Sequence, residues 1–412
     1  MYASPQAPAK RFAVPAPRNR RLWEGSCLTD CQVAATAEFG EHRRESVRGA
    51  WTVVFASLCW ATPAWAAEGP AAAPARGRQL YQQACIACHG VDGKGAPRAL
   101  VGFDQRLPDF SDCNAYAREP DNDWMAVILR GGPARGFDRM MPAFGEALTP
   151  QQVDDVVVHV RSFCGDSSWP RGELNLPRAI FTEKAFPEDE AVLTSGIALD
   201  GAGNVTNELV FEKRFGPVTQ IEIAVPFAYR NGSSASGWEL GLGDVAFGVK
   251  RVLLQSLQSG SILSISGELG LPTGDARRGF GLGTATFAPY LTFGQLWPAL
   301  GFVQAQAGVE LPFHTAEKEA FARAAVGRTF NESGGLGRGW TPMLEMVATR
   351  ALTASEGIHW DLVPECQVTL SRRQHVMASA GVRVPVDNPG AATALYVYLL
   401  WDFFDGGVLE GW

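Results

Sequence analysis

Cys85, Cys88 and His89 stand together in the stretch LYQQACIACHG, residues 80–90. Two thiols three residues apart fall on the same side of a helical turn, and the imidazole follows at once. Two thioether bonds and one axial bond can then converge on a single tetrapyrrole, which makes C-x-x-C-H the pattern of a covalently attached c-type haem. A zinc half-site and a redox C-x-x-C are the alternatives. Zinc needs two further ligands at matched spacing, and the chain has no second Cys/His pair.

The elements that must position this motif are helical. Leu80, Tyr81 and Ala84 share a face with Cys85. DNDWMAVILR predicts a middle helix over 121–130. LTPQQVDDVVVHVRSF, 148–163, predicts a last one, with Thr149 as N-cap, Pro150 in the first helical position and an apolar stripe of Val153, Val156, Val157, Val160 and Phe163. His159 lies off that stripe and reads as an exposed helix residue. Motif, helices and the loop RMMPAFG, 139–145, together resemble class I cytochromes c. The resemblance spans about 95 residues. It implies an axial methionine in that loop: Met141, which directly precedes Pro142, with Met140 as the neighbour that could substitute and gap-filling in a core as the other use of both. It also implies that the last helix packs on the Leu80/Tyr81 face. A thioether opposite His89 raises the potential and closes the iron to substrates, so such a domain carries electrons. Cys113 and Cys164 are either a disulfide, tying the mid-domain loop to the end of the last helix, or two separate thiols.

The chain has 412 residues, enough for two domains, with a formal net charge of −7 and basic residues scattered rather than clustered. That distribution excludes nucleic acid as a partner. Charged residues make up only 19% and glycine is abundant. Residues 46–66 read as a secretory signal: Arg43, Arg44 and Arg48 precede an apolar core from Trp51 to Trp60, and Ala64-Trp65-Ala66 fits the cleavage rule. Residues 1–45, rich in Pro and Arg and without periodicity, read as a non-native or disordered extension. The expected organisation is then a haem domain at 67–165, a Pro-bearing connector at 166–190 and a β domain at 191–412.

The β domain alternates with period two. In VTQIEIAVPFAY, 218–229, Ile221, Ile223, Val225, Phe227 and Tyr229 face one side. FVQAQAGVEL, SILSISGELGL and TALYVYLLWDF repeat the pattern. About twelve such segments, with turn signals between them, have the length needed to cross a bilayer as tilted strands. A soluble sandwich also alternates. Here the apolar faces are nearly free of charge, and long connections near 230–240, 272–281, 312–319 and 387–391 alternate with short ones near 216–217, 294–298 and 372–374. The connection at 331–339 is long where a short turn is expected. The expected fold is therefore multidomain: a small all-α domain followed by an all-β antiparallel transmembrane barrel of about 12 strands, in contact with outer-membrane lipid.

The segment LGDVAFGVKRVLL with LSISGELGLPTGDARRGFGLGTATFAPYLTFG resembles an outer-membrane family associated with the phenol-degradation MetA pathway and described as transporters. The order of one haem domain then a barrel is similar to the cytochrome–porin fusion iron oxidases. This chain departs from them in its methionine-ligated domain and smaller barrel. The architecture implies an electron-transfer protein of the outer membrane whose haem domain is periplasmic and meets a periplasmic electron carrier. An even strand number places both barrel ends on the periplasmic side. A twelve-stranded lumen is too narrow for a folded domain, so docking at the mouth is expected. Glu222, Glu268, Glu310, Glu345, Asp361 and Glu365 fall on the inner faces, with Lys250 and Arg383 as basic counterparts. They would either draw a small reductant or a metal ion into the lumen or form an internal ion-pair network filling it. Cys366 falls on the lipid-facing side.

Overall fold

The computed structural model describes residues 73–200, 203–231, 237–298, 301–314, 317–331, 338–352, 357–387 and 392–412. The expected extension at 1–45 and signal at 46–66 lie outside the described residues.

The first unit is helical, with α1 (Ala73–Ala84), α2 (Ile86–His89), α3 (Arg98–Val101), α4 (Cys113–Tyr116), α5 (Asp121–Arg130) and α6 (Pro150–Arg161). α5 matches its predicted span. α6 begins as its sequence dictates: the Thr149 side chain accepts from the Gln152 amide, and the Gln152 side chain accepts from the Thr149 amide in return, a capping box ahead of Pro150. Val153, Val156, Val157 and Val160 are buried, and α1 packs along them through Tyr81. The two helices touch backbone to backbone at Gly77, where a Cβ would fall 1.9 Å from the Asp155 carbonyl oxygen, so only glycine fits. Arg76 pairs with the fully buried Asp155 at the same crossing. His159 is half-buried rather than exposed. Its ring sits edge-on to Tyr81 and Phe163, with centroids 5.2 and 5.1 Å away, because the imidazole covers the rim of the α1–α6 contact. Cys113 and Cys164 form a disulfide with their Cα atoms 5.2 Å apart.

The second unit is a closed antiparallel barrel of twelve staves. They are β1 (Glu190–Ala198), β2 (Asn204–Phe215), β3 (Thr219–Asn231), a stave made of β4 (Trp238–Leu242) and β5 (Ala246–Ser256), β6 (Ser261–Gly270), β7 (Thr286–Trp297), β8 (Gly301–Pro312), a stave of β9 (Glu319–Arg328) extended by β10 (Phe330–Asn331), β11 (Gly339–Ala351), β12 (His359–Thr369), β13 (Val376–Pro385) and β14 (Ala394–Asp402). Each pairs with its sequence neighbour, and β1 closes on β14 in the register Val192↔Leu400. The β7–β8 turn falls between Trp297 and Gly301, slightly later than the 294–298 expected, because Gln295 and Leu296 still pair with Val303 and Phe302.

Side chains sort by face in the opposite sense to a water-soluble fold. Ile221, Phe247, Val249, Leu291, Phe293 and Leu399 point outward and are 37–53% exposed, while Glu212, Gln220, Lys250, Gln304, Glu345 and Glu365 point inward and are buried. An apolar band around a sheet that closes on itself is stable only where the surrounding solvent is hydrocarbon. Cys366 lies half-buried on the outer side of β12, on the same face as Leu362 and Val368.

The connector is the element that sequence reading left without a role. Residues 174–189 run into the lumen and fill the half nearer the chain termini. The Ile180 and Phe181 amides donate to the Glu365 and Glu345 carboxylates at 3.4 and 3.1 Å. Gln304 donates to the Pro177 carbonyl, Arg323 to the Phe181 carbonyl and Tyr398 to the Arg178 carbonyl, each at 2.7 Å. Leu174, Ala185 and Phe186 pack with Ile262 and Val252. Arg178 pairs with Glu190 (2.9 Å) and Glu212 (3.3 Å), and Lys184 with Glu188 (2.6 Å) and Glu190 (2.9 Å). A plug of irregular backbone is tolerated at this depth because the barrel's inner side chains satisfy its carbonyls and amides.

Candidate functional site

α1 ends where the motif begins, and the chain turns through it as one compact helical step. The His89 and Cys88 amides both donate to the Cys85 carbonyl, at 2.9 and 3.2 Å, and the Tyr81 hydroxyl donates to the Gly90 carbonyl at 2.8 Å. Tyr81 is buried and was missed as a site residue: its ring fixes the α1–α6 contact while its hydroxyl holds the residue after His89. An aromatic four residues before a motif cysteine, one helical turn away on the packing face, was the available signal. The motif thus stands on the rigid part of the unit.

Cys85 and Cys88 are free thiols while Cys113 and Cys164 are bridged. Burial, then the neighbouring Cys88, pushes the Cys85 thiol up to about 11. His89 stacks on Phe110 with centroids 5.0 Å apart, and Phe110 packs in turn on Trp124 and Tyr116. Burial lowers the imidazole to about 4, so it is neutral at physiological pH and has a lone pair to offer a metal. Its Nδ1 is buried without a hydrogen-bond partner. Two unbridged thiols, a neutral imidazole and an orphaned ring nitrogen on one helical turn fit covalent haem attachment. Val91, two residues after His89, and Leu100 on α3 are each more than three-quarters exposed.

Met141 belongs to a separate loop after α5. Among the described residues no hydrogen bond joins that loop to the motif. The Met141 carbonyl accepts from the Gly132 amide at 3.0 Å, and the Phe144 and Gly145 amides donate to Ile128 and Leu129 carbonyls at 2.9 and 3.0 Å, seating the loop against the end of α5. The approach requires Gly131: it has φ +78°, and a Cβ there would come within 2.9 Å of the Met141 carbonyl oxygen. Met141 is half-buried whereas Met140 is 48% exposed.

The helical unit docks on the barrel end that carries the termini. Arg118 is buried, donates to Asp189 at 2.6 Å and lies 3.6 Å over the Phe404 ring. Arg373 donates to the Gly136 carbonyl at 3.2 Å and covers Phe137, and Gln374 donates to Asp123 at 3.1 Å. At this junction burial, then Asp123, pushes Glu119 up to about 7, and burial, then Glu119, pushes Asp405 up to about 10. The unit therefore sits at the mouth and only its connector enters the lumen.

Residues 74–163 match the cytochrome c family. Cytochrome c6 of Gloeothece citriformis (strain PCC 7424) is 29% identical over 108 residues, which cover 26% of this chain and 83% of that protein. Among solved structures, an outer membrane channel from Pseudomonas putida F1 is similar at 10% identity and a TM-score of 0.37, over 55% of this chain and 99% of that one. KdgM porin is similar at 12% identity and a TM-score of 0.36, over 52% of this chain and 99% of that one. The chain is a small helical cytochrome c domain followed by a closed twelve-stranded antiparallel barrel, and a cytochrome c domain implies covalently bound haem c.

Proposed function

We propose that this protein is an outer-membrane c-type cytochrome fused to a porin-like barrel. It exchanges electrons through one haem between a donor or acceptor reached via the barrel and a periplasmic electron carrier. The observation that carries the reading is C-x-x-C-H on one helical turn of a cytochrome domain that is clamped to one mouth of a lipid-facing barrel. Haem c supplies a one-electron couple when bound. Cys85 and Cys88 would hold it covalently, His89 would offer it a neutral imidazole, and Met141 would offer a thioether, a ligand that would favour the reduced iron. Tyr81 and Phe110 keep the His89 ring and the following turn in place, and Gly131 lets the methionine loop close.

Antiparallel barrels with an apolar outer band belong to outer membranes, and their even strand number returns both termini to the periplasmic side. The cytochrome domain precedes β1, so it faces the periplasm and its carriers. Arg118, Arg373 and Gln374 hold it against the mouth, giving a docking partner one fixed geometry to meet. The plug closes half of the lumen, so a diffusing donor enters only as far as the open half. This favours electron exchange over solute transport as the barrel's role.

Two measurements test the reading on the purified haem-loaded protein. A redox titration should show one electron per chain; none, or two, overturns the single-haem assignment. Met141→Ala should abolish the sulfur–iron absorption band near the red edge of the visible spectrum while Met140→Ala retains it. An unchanged spectrum in Met141→Ala shows the ligand choice to be wrong.

A further inference from the structure

The half of the lumen that the plug leaves open has an acidic floor. Along the inner face of β2, Arg214 and Glu212 are buried, whereas Glu208 and Thr206, nearer the far mouth, are exposed. The same change runs along the inner face of β12, where Glu365 and Val363 are buried and Asp361 and His359 are only half-buried. A vestibule therefore opens from the far mouth down to the tip of the plug. Its floor is Glu183 from the plug, Glu212 from β2 and Glu222 from β3, with one carboxylate oxygen of each within 4.8 Å of the others.

Three features make this floor unlike a satisfied ion-pair network. Glu212 and Glu222 are direct cross-strand partners, and like charges placed opposite each other repel. Glu222, only 8% exposed, has no hydrogen bond or ion pair among the described residues, although it points into the cluster. The Oε2 atoms of Glu212 and Glu183 are likewise buried without hydrogen-bond partners. The cations present do not balance the charge. Arg178, Lys184 and Lys250 face Glu183, Glu188, Glu190, Glu212 and Glu222, which leaves two negative charges over. Unpaired charges at this depth are costly unless something neutralises them.

We propose that Glu183, Glu212 and Glu222 bind a divalent cation of the kind that prefers oxygen ligands. A doubly charged ion matches the excess charge, and three carboxylates that converge beside an open vestibule leave room for water to complete the coordination. Gly248, the cross-strand partner of Glu222 on β5, keeps the wall beside the site free of a side chain; a Cβ there would stand 3.3 Å from that of Glu222. Glu208 and Glu268 line the way in and raise the local concentration of cations. The site does not depend on the electron-transfer reading, because binding is measured without turnover.

The test is a Mn2+ titration of the haem-loaded full-length protein in detergent micelles, read as loss of the free-ion electron paramagnetic resonance signal. One ion per chain should bind, and Glu222→Gln, which has no ion pair to lose, should weaken binding by about tenfold or more. Glu310→Gln, away from the cluster, should leave it within about twofold. Haem absorption and heat-modifiable migration of the barrel should be unchanged in both variants. Should Glu222→Gln fail to fold, the infrared carboxylate stretch of the wild type should shift when Mn2+ is added. Mn2+ that stays free, equal binding by Glu222→Gln, or a carboxylate stretch that does not move when Mn2+ is added would each overturn the proposal. A normal one-electron titration alongside any of these results leaves the cytochrome reading standing.

Discussion

The cytochrome domain and the barrel obey the same burial rule in opposite directions. In the first, Val153, Val156, Val157 and Val160 turn inward around Tyr81, and the charged residues of α6 lie outside or pair at a crossing, as Asp155 does. In the second, Val249 and Leu253 of β5, Leu291 of β7 and Val397 and Leu399 of β14 face outward, and arginine, lysine and glutamate fill the middle. The difference is the solvent. Water rewards burying apolar area, whereas hydrocarbon gives no such reward and penalises every unpaired backbone or charged group that meets it. The domain is thus held by packing and one disulfide, and the barrel by its closed hydrogen-bonded wall and a charged plug. The two should fail for different reasons.

The largest expected effect separates them completely. Replacing Cys85 and Cys88 together by Ser should abolish covalent haem, seen as loss of haem staining on a denaturing gel, while the barrel keeps its heat-modifiable migration. A barrel that no longer assembles would mean that the two units fold as one.

Next is Arg178→Ala, which strips the Glu190 and Glu212 carboxylates of a buried partner and should cost the plugged barrel about 3–5 kcal/mol. Urea-induced loss of the folded-barrel band should move to lower concentration, and single-channel conductance should appear as the plug loosens. The haem spectrum should not change.

The Cys113–Cys164 bridge closes a loop of 51 residues inside the cytochrome domain, worth about 4 kcal/mol on the loop-entropy model. Cys113→Ser with Cys164→Ser should lower the thermal midpoint read at the haem and leave the barrel transition in place. A barrel shifted by the same amount would contradict the division.

The smallest effect is graded and falls at the junction. Glu119 and Asp405 have folded values raised to about 7 and about 10, above their unfolded values. Between the unfolded and folded values the docked form binds more protons than the released form, so docking weakens as pH rises. Glu119 gives this loss from about pH 4.5 to about 7, and Asp405 continues it to higher pH. Arg118, Arg161 and Arg135 act on Glu119, and Arg373 on Asp405, in the opposite sense, which keeps the effect modest. Hydrogen exchange at residues 403–412, corrected for intrinsic rates, should be faster at pH 8 than at pH 5.5. Equal protection at both would remove the carboxyl cluster from the account.

Legibility in the sequence divides along the same line. The motif, α5 and the Thr149–Pro150 helix start are local features: each depends on residues within one or two turns, so spacing alone locates them. The strands were legible because lipid outside and charge inside force strict alternation. The plug was not, since residues 174–189 have no period of their own. Arg178 and Lys184 find partners on β1 and β2 and within the plug, while Ile180 and Phe181 find theirs 185 and 164 residues away. Glu222, Glu268, Glu310, Glu345 and Glu365 were identified as inward, but Glu190 and Glu212 were not, and their partners Arg178 and Lys184 come from a stretch that reads as a plain linker. His159 misled for a related reason: a residue off the main stripe becomes half-buried when a neighbouring helix carries a side chain as large as Tyr81.

The central claim is that a haem on the periplasmic side exchanges electrons with a partner reached through the barrel. The most direct measurement is the absorption spectrum of intact cells carrying the protein, taken after adding a reductant that cannot cross the outer membrane. Growth of the reduced α-band in intact cells is the predicted result. A haem that stays oxidised until the outer membrane is opened, and is reduced only then, would contradict it.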